Sequence, residues 1–288
     1  MSHKKKKAEK SFAGIVFLML IGVGILVYPA VSNLWNRYRN SRLVMDYARQ
    51  IDQIKDDEKR EMYARAVAYN RAHTVNTNLT EKKDPVEHKN YMEQLSGGID
   101  GKVMGTLIVP RLQQQLVIYH SLSDEALENG CGHMEGSSLP VGGESTHAVL
   151  AAHRGLPKAK LFTDLDKMKI GDRFYIRVLG KRLGYRVDQI KVVLPRDVKN
   201  LQIEEGKDYV TLLTCTPYGV NTHRLLVRGE RVPCTRTQVQ RATERVEKDL
   251  TLQIVLTGCV AAGGILLLTV WIGRKKKRKE RKIYEKKS

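Results

Sequence analysis

The chain has 288 residues, 42% of them hydrophobic and 28% charged, with a formal net charge of +19. That length holds one good-sized domain with appendages. The positive surplus is terminal: residues 1–10 carry five Lys and one Glu, residues 274–288 carry ten Lys/Arg and two Glu, together +12 of the +19. The middle is mildly basic and lacks the aromatic and basic motifs of RNA-binding modules, which argues against nucleic acid as a partner.

In chain order, residues 1–11 form a basic tail, followed at 12–32 by a segment whose run Phe12–Val31 has no charged residue. A second uncharged run, Leu252–Gly273, fills residues 251–273 and is followed by the basic tail 274–288. Each run reaches the roughly 20 residues a helix needs to cross a bilayer. Two such runs at opposite ends, each beside lysines, predict two transmembrane helices. A cleaved signal peptide is the alternative for the first, but it is longer than a usual signal core and lacks a small-x-small cleavage site, so an anchor is expected. Lys/Arg clusters stay cytoplasmic, so both termini are expected inside and the body outside, at the cell membrane.

Within the body, residues 33–75 read as a helical hairpin: Val44, Tyr47, Ile51 and Ile54 recur at helical spacing, Asp56 reads as a cap, and Met62, Ala66 and Tyr69 follow. Residues 76–98 are polar, contain Asp84-Pro85 and read as a long loop. From 99 to 234 short apolar runs are broken by Gly, Pro and Asp, a texture that predicts a mainly β domain, a barrel or sandwich. A short helix is expected within 158–170 and a polar helical linker at 235–250.

The chemistry concentrates in Thr211-Leu212-Leu213-Thr214-Cys215, with a Pro/Gly turn and a second alternating run opening at Arg224. This predicts a β-hairpin carrying Cys215 and Arg224 at facing ends. A guanidinium beside a thiol favours the thiolate, the nucleophilic form. His133, His147, His153 and His223 are the candidate bases. His153 ends the run Thr146–Ala152 and opens into a turn, where scaffolds present catalytic groups. His223 adjoins Arg224, but neighbours on a strand face opposite ways. Pattern alone leaves the base open. Cys131, His133, His147 and His153 are ligand types for zinc but fit no compact zinc spacing, so no metal is expected. Cys131 and Cys234 are candidates for a disulfide outside the cytoplasm.

These motifs, taken together, resemble those of the sortases, membrane-bound cysteine transpeptidases of Gram-positive bacteria. TLLTC looks like the family's TLxTC signature, Arg224 falls at its arginine position, and Thr146–Gly155 resembles the segment ending in its catalytic histidine. The resemblance implies a closed sortase-like β-barrel with peripheral helices over 99–234, with Cys215, His153 and Arg224 as catalytic residues and no cofactor. A second apolar run, Gly132–Gly143 and CTPYGVNTHRLLVRG resemble class C, the pilus-assembling sortases. That class implies cleavage of LPxTG-like signals between Thr and Gly, through a thioester, and transfer to a lysine amine of a pilin. It also implies a lid with an Asp-Pro-aromatic motif in 76–98. Asp84 and Pro85 match it and Val86 stands where the aromatic would be, so Asp84 is expected to pair with Arg224 without a ring over the thiol. The alternatives are a sortase of another class, using a cell-wall precursor as acceptor, and a non-catalytic membrane-tethered scaffold for pilus assembly.

Overall fold

Short apolar-rich runs form the strands, some buried along their whole length, such as Val103–Val109, and others with part of one face in solvent, such as Lys181–Val193. The computed structural model describes residues 2–73, 84–98 and 101–284, and for most of 2–20 and 260–284 the backbone alone. The strands are β1 (Val103–Val109), β2 (Gln114–Tyr119), β3 (Cys131–His133), β4 (Thr146–Ala151), β5 (Arg173–Val178), β6 (Lys181–Val193), β7 (Asp208–Thr216) and β8 (His223–Val232). They close into a barrel in the order β1-β2-β3-β4-β7-β8-β6-β5. The pairs β2–β3 and β4–β7 are parallel, whereas the other neighbours run antiparallel. Closure leaves no sheet edge open. This is the expected mainly β barrel.

Among the described residues, five α-helices accompany it: α1 (Ser2–Gln53), α2 (Asp56–Ala72), α3 (Pro85–Glu93), α4 (Asp124–Asn129) and α5 (Arg236–Tyr284). Val44, Tyr47 and Ile51 of α1 and Met62, Ala66 and Tyr69 of α2 are buried in the same cluster as barrel residues such as Met104, Leu107, Phe174 and Tyr185. The Tyr47 hydroxyl donates to Met104 O at 3.0 Å and accepts from Leu179 N at 3.3 Å, so the end of α1 is fixed to the barrel by both apolar contact and hydrogen bonds.

Three local expectations are corrected, and one open question is answered. Lys55, not Asp56, occupies the capping position of α2, and Asp56, Asp57 and Glu58 fill its first turn, where carboxylates suit the positive helix end. The loop expected over 76–98 contains helix α3, started by an Asp-Pro pair that suits a helix N-terminus. The helix expected within 158–170 is reduced to a single 3-10 turn at Leu165–Lys167. The Cys131–Cys234 disulfide is not formed. Buried Cys131 instead donates to Val117 O at 3.4 Å, while Cys234 lies 3.7 Å from Arg182 O.

The stretch read as a polar linker is the start of α5, and it is packed: Val239, Ala242 and Val246 form a small core with Ile108 and Tyr175. Residues 1–246 make one compact unit and 247–288 a second, helical through Tyr284. Among the described residues, no helix is long and apolar enough to cross a membrane.

Candidate active site

Alternation along β7 decides which way Cys215 points. Val210 and Leu212 belong to the barrel core, whereas Leu213, like Val149, Leu201 and Leu226, belongs to a second apolar cluster on the other face. Cys215 shares the face of Leu213, two residues on. Arg224 shares the face of Leu226 for the same reason. Cys215 and Arg224 are direct partners in the β7–β8 ladder, and the hairpin brings thiol and guanidinium to one rim.

His153 arrives from β4 by parallel pairing. Ala151 pairs with Leu213, Ala152 N donates to Leu213 O at 3.2 Å, and Thr214 Oγ1 donates to Ala152 O at 2.8 Å. Extending that register by two residues sets His153 level with Cys215. The turn behind it is tied down by Arg154, which donates to Thr216 Oγ1 at 3.0 Å and pairs with Asp166 at 2.7 Å. Phe162 N also donates to His153 O at 3.2 Å.

Cys215, His153 and Arg224 line one cavity of about 300 Å3. Its walls are largely apolar, including Leu127, Met134, Val193, Pro195, Leu201 and Leu213, with Asp197 the acidic residue among them. Cys215 and His153 are half-buried, reachable yet shielded. Arg224 donates to the backbone carbonyls of Asn221 at 3.2 Å and His223 at 3.1 Å, which holds the head of a long side chain at the hairpin mouth. Among the described residues it has no acidic partner.

The other histidines are elsewhere. His133 is fully buried; Nε2 donates to Ser138 O at 2.8 Å, and Nδ1 accepts from the Tyr91 hydroxyl at 2.9 Å. His147 is also buried, with Nδ1 donating to Gln202 O at 2.8 Å and Nε2 accepting from Thr211 Oγ1 at 2.7 Å. Burial pulls the pKa of each down to about 4, so both are neutral structural groups. His223 pairs in register with Thr216, bonds to Thr222 Oγ1 at 2.9 Å and is not part of the cavity wall. Cys131, His133, His147 and His153 do not gather, and among the described residues no group of three or more ligand side chains could hold a metal ion.

Asp84, Pro85 and Val86 do not line the cavity. The expected Asp84–Arg224 pair is replaced by a helix cap: Asp84 Oδ1 accepts from Val86 N at 2.8 Å and Glu87 N at 3.2 Å. Val86 is 78% exposed. The remainder of the expected lid loop, residues 76–83, lies outside the described residues. Sequence reading did not find Arg154, Asp197 or the apolar wall from Val193 to Leu201. The Arg154-Asp166 spacing and the apolar residues before the Leu194-Pro195 break were the available signals, but each also suits an ordinary loop.

Comparison with known proteins gives one family. A model described as the sortase domain matches residues 107–232. Sortase A of Bacillus anthracis is 28% identical over 148 residues, which is 51% of this chain and 69% of that protein. A crystal structure of sortase C1 from Streptococcus agalactiae is 44% identical with a TM-score of 0.63, covering 67% of this chain and all of that one. A crystal structure of Streptococcus pneumoniae sortase C is 41% identical with a TM-score of 0.58, covering 67% of this chain and 98% of that one.

Proposed function

This chain belongs to the sortase family as a class C-like cysteine transpeptidase, and from that premise we propose that Cys215 is its nucleophile, His153 its acid-base and Arg224 its oxyanion or substrate-backbone donor. The observation that carries the assignment is their convergence on one apolar-walled cavity, with Cys215 and Arg224 as direct strand partners. The substrate is a pilin or other surface protein bearing an LPxTG-like signal, whose leucine and proline suit that wall. The Cys215 thiolate attacks the carbonyl between Thr and Gly, and Arg224 donates hydrogen bonds to the developing oxyanion. His153 gives a proton to the departing glycine amine, leaving a thioester. A lysine amine of a pilin then attacks the thioester, His153 takes the proton that this amine loses, and the Cys215 thiolate leaves as the isopeptide bond forms. The cavity's half-buried position limits competition from water.

The membrane reading rests on the sequence. Phe12–Val31 and Leu252–Gly273 are uncharged, each falls within one continuous helix, and each adjoins a basic tail. They anchor the enzyme at both ends, tails in the cytoplasm and barrel outside.

The test is acyl-enzyme formation on an LPxTG peptide, read by mass spectrometry. Cys215→Ala and His153→Ala lose the adduct with unchanged circular dichroism, whereas His223→Ala retains it. An adduct on Cys215→Ala overturns the nucleophile. A dead His223→Ala beside an active His153→Ala overturns the choice of base.

A further inference from the structure

A second cavity, of about 450 Å3, lies where the first turns of α5 pack on β5 and the turn after β1. Arg111, Arg173, Arg241 and Arg245 converge on it, with Asp172 the lone carboxylate. That carboxylate is already engaged, by Arg111 at 3.8 Å and by Lys169 N at 2.9 Å. Arg173, Arg241 and Arg245 are exposed, and among the described residues none of their side chains has an ion pair or hydrogen bond. Arg241 and Arg245 stand four apart on one helix, a like-charge spacing that weakens a helix. The folded chain therefore gathers four guanidiniums on one groove and leaves three of them, Arg173, Arg241 and Arg245, without a carboxylate partner. Tyr175 and Ala242 put apolar surface beside them. Planar guanidinium forks match the oxygens of a phosphate.

We propose that this groove binds the phosphodiester headgroup of an anionic phospholipid. The phosphate chemistry follows from the arginines alone. The lipid source rests on the membrane anchor proposed above: Arg241 and Arg245 precede its first residue, Leu252, by eleven and seven positions in the same helix. Basic residues beside a span are drawn to anionic headgroups.

The experiment uses the full chain in uncharged maltoside micelles, titrated calorimetrically with dihexanoyl phosphatidylglycerol, dihexanoyl phosphatidylcholine and inorganic phosphate. The parent binds the glycerol lipid and not the zwitterionic one. The triple variant Arg173→Gln/Arg241→Gln/Arg245→Gln weakens that binding about fivefold per arginine, on the order of a hundredfold in all. Its LPxTG cleavage matches the parent, because none of the three lines the cysteine cavity. Equal lipid binding by parent and variant overturns the groove. Inorganic phosphate binding as tightly as the lipid overturns the lipid source. Flotation with phosphatidylcholine vesicles reports the anchors separately: a chain that floats but shows no arginine-dependent lipid binding defeats the groove and leaves the anchors standing.

Discussion

His133 and His147 differ from His153 in one respect that decides their roles: both ring nitrogens are already engaged inside the protein. Each accepts one hydrogen bond, so protonation would break a bond as well as bury a charge. Their pKa values are pulled from 6.5 down to about 4 by burial. The unfolded chain thus takes up protons below pH 6.5 that the fold refuses, and stability falls from there towards pH 4 and levels beneath it. By pH 5.5 the loss is about 1 kcal/mol per histidine. Urea midpoints at pH 7.0 and 5.5 should show it, with the larger value at pH 7.0; coincident midpoints would mean the two rings titrate as if exposed. Sequence alone offered four histidines as the base because it shows neither burial nor bonding. The alternation that separates His223 from Arg224 was legible, since it needs only the period of a strand.

At the scale of elements, the hairpin was legible and the helix before the barrel was not. Cys215 and Arg224 are joined by a local turn, so residue order carries their proximity. Helix α3 is nine residues long, polar on most faces and anchored mainly through Tyr91, whose hydroxyl reaches His133 and Ser121. One buried tyrosine leaves too faint a period to read. The same brevity gives its cap weight. Asp84→Ala should cost about 1 kcal/mol of local stability, seen as faster amide exchange across α3. Because the carboxylate bonds to its own helix and not to Arg224, thiol labelling of Cys215 should stay within twofold of the parent. A several-fold rise in labelling would show that Asp84 restrains access to the cysteine after all. The packing of α5 was hidden for a related reason: Val239, Ala242 and Val246 are three small apolar residues in a stretch otherwise rich in charge.

For the whole molecule, the two basic tails and two uncharged runs set the expected arrangement. Protease added to intact protoplasts should digest the barrel and spare tags fused at residue 1 or 288; a terminal tag cut from outside would reverse the orientation and put Cys215 on the wrong side for surface chemistry. The mainly β class was legible from strand spacing. The strand order was not, because β4–β7 and β1–β5 pair residues far apart in the sequence and no local signal specifies a distant neighbour.

That distance has a kinetic side. Cys215 and His153 are 62 residues apart and meet only through a parallel pairing, one of the slower contacts a chain can make. A nascent chain halted at β7 would carry the thiol, yet Arg224 would still be unmade and β8 could not flank it. Cys215, His153 and Arg224 are therefore brought together only once β8 has followed β7 and the barrel can close, whatever the state of the helix that comes after.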